Sequence, residues 1–264
     1  MKRRLSSVVF LLTVFITVIV AGCSVKEDRS GCPCRMVFDF SGVDEDVHPL
    51  VNLDVTSADG ILFRDTVDIG ELSGEYGIEV SKGWVYANVY AGADGFFFPG
   101  RGVVISEGME CPPVFSHSER VNADCEFCVC APVLHKNFCN VTISLAHEGE
   151  AFIPFSMRIK GNVSGYDLSG KPVPGMFVFS PELTDEGTAS IRIPRQTDSS
   201  LKLEIVEDGS VLREFALGEF IIESGYDWSA SDLDDVEVKI DYSKTDVIFI
   251  VDDWVKEFRF EVII

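Results

Sequence analysis

From residue 36 onward the chain alternates apolar and polar positions with a period of two. Met36-Val37-Phe38-Asp39-Phe40 opens the series, and Val51-Asn52-Leu53-Asp54-Val55 alternates cleanly. Residues 61–67 follow in part, and Trp84-Val85-Tyr86-Ala87-Asn88-Val89-Tyr90 is β-branched and aromatic. Val141-Thr142-Ile143-Ser144-Leu145 alternates again. Further runs lie at 155–163, 176–179, 189–193, 201–206, 236–240, 247–251 and 258–264. Residues two apart share one face of a strand, so each run has a side to bury. Short runs punctuated by Gly, Pro, Asp and Ser predict an all-β sandwich fold. Helical periodicity is scarce; the best candidate is one turn at 229–233, which Ser229 or Ser231 would cap.

Composition divides this pattern. Residues 93–140 are rich in Gly, Pro, Cys and Phe and have poor periodicity, whereas 155–264 contain no cysteine. A boundary is therefore expected at 148–155. It gives an N-terminal sandwich over 35–150 with a Cys-rich loop at 93–140, and a C-terminal sandwich over 151–264.

The first residues do not belong to either sandwich. Lys2, Arg3 and Arg4 precede an apolar stretch at 8–20, which is shorter than the roughly 20 residues a spanning helix needs. The order reads as a secretory signal peptide over 1–22. Val20-Ala21-Gly22-Cys23 fits the bacterial lipoprotein box, with Cys23 carrying the lipid and 23–34 forming a tether. One acyl chain holds a protein only marginally, and two or more anchor it stably. The expected partner of Cys23 is thus a membrane surface.

The 264-residue chain has a formal charge of −21 and 46% hydrophobic residues, including 20 Phe. That apolar content supports real cores. The acidity argues against nucleic acid as a partner, which needs basic patches. After Cys23, seven cysteines remain, an odd number that cannot all pair within one chain. Cys125-x-x-Cys128-x-Cys130 followed by His135 and Cys139 is the most metal-like cluster. Its spacing departs from a zinc knuckle. Disulfides within the loop, with Cys111 as a partner, are the favoured alternative. Cys32-Pro33-Cys34 is too tight for a Cys-x-x-Cys redox motif, so each of these pairs elsewhere or stays free.

The histidines His48, His117, His135 and His147 sit in no nucleophile elbow or HExxH pattern. The acidic runs at 44–46, 232–235 and 252–253 lack EF-hand order and read as solvated turns. No constellation points to an enzyme, a cofactor or a small-molecule substrate.

At this point particular residues resemble a known family. The lipobox, then Lys26-Glu27-Asp28-Arg29-Ser30-Gly31-Cys32-Pro33-Cys34 and an alternating strand, resembles the start of FimB-type fimbrial anchor lipoproteins of Bacteroides-like bacteria. Gly161-Asn162-Val163-Ser164-Gly165-Tyr166-Asp167-Leu168 with Pro172-Val173-Pro174-Gly175 is similar to that family's mid-domain hairpin. Gly225-Tyr226-Asp227-Trp228, the run from Leu233 to Tyr242, and Trp254 resemble its closing strands. Residues 93–140 depart most.

The resemblance implies two transthyretin-like β-sandwiches on the outer membrane, anchoring a fimbrium and limiting its length. It also implies that Lys26, Glu27 and Asp28 act as a surface-export signal and that Asp65-Thr66-Val67 is an O-glycosylation site. Subunits of such fimbriae join by β-strand addition. Phe258, Phe260, Val262 and Ile264 share one face of the final strand and form a candidate donor to a stalk subunit; the same residues would equally suit a strand kept in its own sandwich. A second function class is an adhesin that contacts glycan or protein through the aromatic stretch 93–140, notably Phe96-Phe97-Phe98.

Overall fold

The computed structural model describes residues 31–72, 74–146, 156–241, 246–251 and 254–259. Cys23, Lys26, Glu27, Asp28, Phe260, Val262 and Ile264 lie outside the described residues, as does the 148–155 boundary. The described chain opens with β1 (Cys34–Phe38), β2 (Leu50–Ser57), β3 (Gly60–Asp68), β4 (Tyr76–Val80) and β5 (Trp84–Ala91). Next come β6 (Phe97–Phe98), β7 (Gly102–Val104), β8 (Phe115–Asn122), β9 (Phe127–Cys130), β10 (His135–Lys136) and β11 (Phe138–Ala146). The remainder holds β12 (Ser156–Tyr166), β13 (Pro172–Phe179), β14 (Thr188–Pro194), β15 (Lys202–Glu207) and β16 (Ser210–Phe215). After a short helix α1 (Leu217–Glu223) follow β17 (Val236–Asp241), β18 (Asp246–Val251) and β19 (Trp254–Arg259). The architecture is all-β with sandwich packing. No helix among the described residues is long and apolar enough to cross a membrane.

In the first unit a three-stranded sheet, β4-β1-β9, faces a five-stranded sheet, β10-β8-β5-β2-β3. The alternation read from the sequence sets the packing. Val51, Leu53 and Val55 of β2 and Val85, Ala87 and Val89 of β5 turn inward against Met36 and Phe38 of β1. Asp54 breaks the rule that the alternate positions face water. It is fully buried, and Arg64 Nε donates to its carboxylate at 3.1 Å from the adjacent β3.

The second unit pairs β14-β11-β17-β18-β19 against β16-β15-β12-β7-β6, with β13 on the free side of β12. Ile143, Ile159, Ile191, Ile193 and Leu203 fill its core. α1 lies in a stretch that the alternation leaves unassigned: Leu217 and Ile221, four apart, bury on one face. The turn expected to be helical at 229–233 is instead an Asx turn. Both Ser229 N and Ser229 Oγ donate to Asp227 Oδ1, at 2.8 and 2.6 Å.

The chain changes units differently from the compositional division. β11, which the expectation gave to the first sandwich, pairs with β14 and β17 and packs in the second core. Residues 97–104 also leave the first unit and add β6 and β7 to the second unit's sheet before β8 returns. The Cys-rich stretch 93–140 therefore carries β6 to β10 and the start of β11, and is shared between both sheet systems. Two glycines permit the crossing. Gly165 (φ +150°) on β12 pairs with Val104, and Gly102 (φ +89°) starts β7, packed against the Tyr166–Asp167 backbone. A Cβ on Gly102 would stand 2.2 Å from the Tyr166 carbonyl oxygen, and one on Gly165 would stand 2.0 Å from that of Val103.

Candidate functional site

Three places gather chemistry or exposed surface. The first is a cysteine cluster at the start of β1. Cys34 Sγ lies 3.5 Å from Cys128 Sγ and 3.7 Å from Cys125 Sγ. Parallel pairing creates the meeting: Arg35 registers with Phe127 and Met36 with Cys128 across β1 and β9. Arg35 N donates to Glu126 O at 3.0 Å and fixes the turn that carries Cys125. Burial raises the Cys34 thiol, and it pushes Cys128 up to about 12, with Cys34 and Cys125 acting in the same direction. As free thiols Cys34 and Cys128 stay protonated at neutral pH, which suits them poorly for nucleophilic chemistry.

The cluster predicted at Cys125, Cys128, Cys130, His135 and Cys139 does not assemble as such. Only Cys125 and Cys128 meet, and their third member is Cys34, 91 residues before Cys125 in sequence. Cys130 turns into the first core, where it lies near His117 and Glu119. His117 Nδ1 accepts from Val133 N at 3.3 Å, which occupies the lone pair on that nitrogen. His135 Nδ1 is 3.0 Å from Asp232 Oδ2 instead. Cys139 sits in β11, buried in the second core, and Cys111 is buried in the same core with its thiol directed at the Pro112 carbonyl. All seven described cysteines are free thiols. The topology explains the scatter: β9 belongs to one unit and β11 to the other.

The second place is the outer face of β5. Trp84 and Tyr86 are 51% and 46% exposed, two residues apart on one face. The Arg120 guanidinium stacks 4.2 Å from the Trp84 ring centre. A groove of about 450 Å3 adjoins Tyr86 and is edged by Asn88, Arg101, Asp167, Ser169 and Lys171. The aromatic triplet Phe96-Phe97-Phe98 behaves otherwise. Phe96 and Phe97 pack on the second core, Phe97 against Tyr90 at 5.1 Å between ring centres, and only Phe98 is exposed.

The third place is the last sheet edge. β19 pairs antiparallel with β18, placing Phe258 opposite Val247, and stands outermost in its sheet. Asp65-Thr66-Val67 lies on β3, also an outermost strand, with Thr66 exposed. The acidic run at 232–235 is structural rather than merely solvated. Asp232 accepts from Lys136 N at 2.7 Å, and Asp235 accepts from Asn140 N at 2.9 Å and from Lys136 Nζ at 2.5 Å.

No family model matches the chain, and no curated protein does. Solved structures do share its fold. A candidate polysaccharide-binding protein from Bacteroides thetaiotaomicron superposes with a TM-score of 0.63 at 15% identity, covering 86% of this chain and 98% of that one. A candidate adhesin from Bacteroides ovatus gives 0.60 at 13%, covering 89% and 98%. The fimbrial anchor protein Mfa2 from Porphyromonas gingivalis gives 0.60 at 12%, covering 85% and 99%. The fold thus meets the resemblance read from the sequence, since a fimbrial anchor is among the structures this chain is similar to. At these identities the likeness is one of architecture.

Proposed function

We propose that this chain is a lipid-anchored protein of the outer cell surface that holds a fimbrium at its base and limits its assembly. One observation carries the reading: the fold is similar to that of a fimbrial anchor over 85% of this chain and 99% of the other. The lipobox ending at Cys23 supports it, because an anchor needs a membrane attachment at one end. The role is structural and assigns no catalytic group. Lys26, Glu27 and Asp28 would direct the lipidated chain to the outside. The stalk subunit would join by β-strand addition at the β19 edge, through Phe258, Phe260, Val262 and Ile264. Cys23→Ser is expected to release the protein and its fimbriae into the medium. Removing 257–264 is expected to leave a folded chain, by circular dichroism, that no longer co-purifies with fimbrial subunits. A truncated chain that unfolds would assign these residues to the protein's own sandwich instead.

A second reading, an adhesin, is favoured by the Trp84–Tyr86 face. Flat aromatics beside a polar groove suit the apolar faces and hydroxyls of a sugar. Under that reading Trp84→Ala with Tyr86→Ala abolishes surface binding and leaves fimbrial attachment intact; under the anchor reading the same double variant changes neither.

A further inference from the structure

The cysteine cluster at the head of β1 has the geometry of a metal site. Cys34 Sγ stands 3.5 and 3.7 Å from the other two sulfurs, and all three lie within 4.8 Å of one another. A disulfide needs about 2.05 Å. Zinc–thiolate bonds of about 2.3 Å place the sulfurs of a tetrahedron about 3.8 Å apart. The observed spacing is that of ligands around one ion. Stoichiometry points the same way, for a disulfide joins two sulfurs and strands the third, whereas a tetrahedral ion uses all three. The ligand set selects the metal. No carboxylate or imidazole belongs to this group, and thiolates alone favour Zn2+ over Ca2+ or Mg2+. Cys125-x-x-Cys128 supplies the two-ligand turn usual in structural zinc sites. Cys32, exposed in the turn two residues before Cys34, stands outside this group of three but is the cysteine nearest to it in sequence.

We propose that Cys34, Cys125 and Cys128, with Cys32 as the fourth thiolate, hold one zinc ion that clamps the first strand to the turn before β9. Each thiol releases its proton to solvent as the ion binds. With Cys32 recruited, four protein thiolates would close the site, so its role would be structural. It joins residues some 90 apart in sequence (Cys34 and Cys125 differ by 91) at the point where the tether enters the fold.

The test uses the full mature chain, purified anaerobically under reducing conditions and titrated with Zn2+, and with Co2+ as a spectroscopic substitute. One ion per chain and the absorption of tetrahedral Co2+ in thiolate ligation are expected. Cys125→Ser and Cys128→Ser, chosen because these residues are less buried than Cys34, should each weaken Zn2+ binding by more than about tenfold to a hundredfold, the range already lost with outer-shell partners. Cys139→Ala should retain full stoichiometry. Cys32→Ser should weaken binding and shift the Co2+ spectrum; an unchanged spectrum overturns the assignment of Cys32. The proposal falls if the reduced chain takes up no Zn2+, or if protein taken from the producing cell carries a disulfide between Cys34 and Cys125 or Cys128.

Discussion

Glu204 on β15 is buried with its carboxylate between two cations of β12, Arg158 Nε at 2.6 Å and Lys160 Nζ at 2.5 Å. Burial alone would raise its pKa, but the hydrogen bonds from Lys160 and Arg158 outweigh it and hold the carboxyl below the ordinary glutamate range. A carboxyl whose folded value is depressed stabilises the fold above its unfolded value, about 4.3 for glutamate, and that contribution is lost as pH falls through the folded value. Glu204→Gln is therefore expected to cost about 1–3 kcal/mol at neutral pH. The gap from the unsubstituted protein should close on acidification below the folded value. Urea unfolding across pH 3 to 7 measures both. At this scale the sequence was readable for apolar residues and opaque for buried polar ones. Val51, Leu53 and Val55 announce their face by period. Nothing local shows that Asp54 is buried against Arg64, or that Cys34 meets Cys125, because each depends on a neighbour supplied by strand pairing.

Elements were legible where alternation was strong and hidden where charge or register obscured it. β8, reading Phe-Ser-His-Ser-Glu-Arg-Val-Asn, is polar enough to escape a periodicity reading, and its pairing with β5 makes it a strand. The N-cap residue of α1 is Ala216, which offers no side-chain cap, so the available signal was the i, i+4 pair Leu217 and Ile221. The loop after α1 owes its shape to one side chain from another element. Arg195, just past β14, donates to the carbonyls of Trp228 and Ala230 at 2.6 Å each, to that of Ser231 at 3.0 Å, and to Asn137 Oδ1 at 3.0 Å. Arg195→Ala is expected to destabilise the protein by about 2–3 kcal/mol and to speed amide hydrogen exchange across 227–233. Arg195→Lys should restore little of either, because a point charge cannot span carbonyls that a planar fork reaches together.

Two cores do not here mean two independent bodies. Phe115 packs against both hydrophobic clusters and meets Phe138 edge-on, with 5.6 Å between ring centres. Tyr90 extends from the first unit to the second, donating to the Asp167 carbonyl and accepting from Gly170 N. Calorimetry should accordingly show one unfolding transition. Phe115→Ala should split it in two and lower overall stability by about 3 kcal/mol. The two-sandwich architecture was foreseeable from alternation, but this exchange of strands between units was not, since composition carries no record of which sheet a segment joins.

β1 is flanked by β4 on one side and β9 on the other, and the chain enters it directly from its N-terminal end. Traction on that end runs along the strand axis, so the hydrogen bonds on both flanks are sheared together rather than peeled in succession. Rupture is then limited by one high kinetic barrier instead of many low ones, and forced unfolding is governed by that barrier rather than by equilibrium stability. A body moored through its first residues and tugged from outside would bear the load at the strand best placed to resist it.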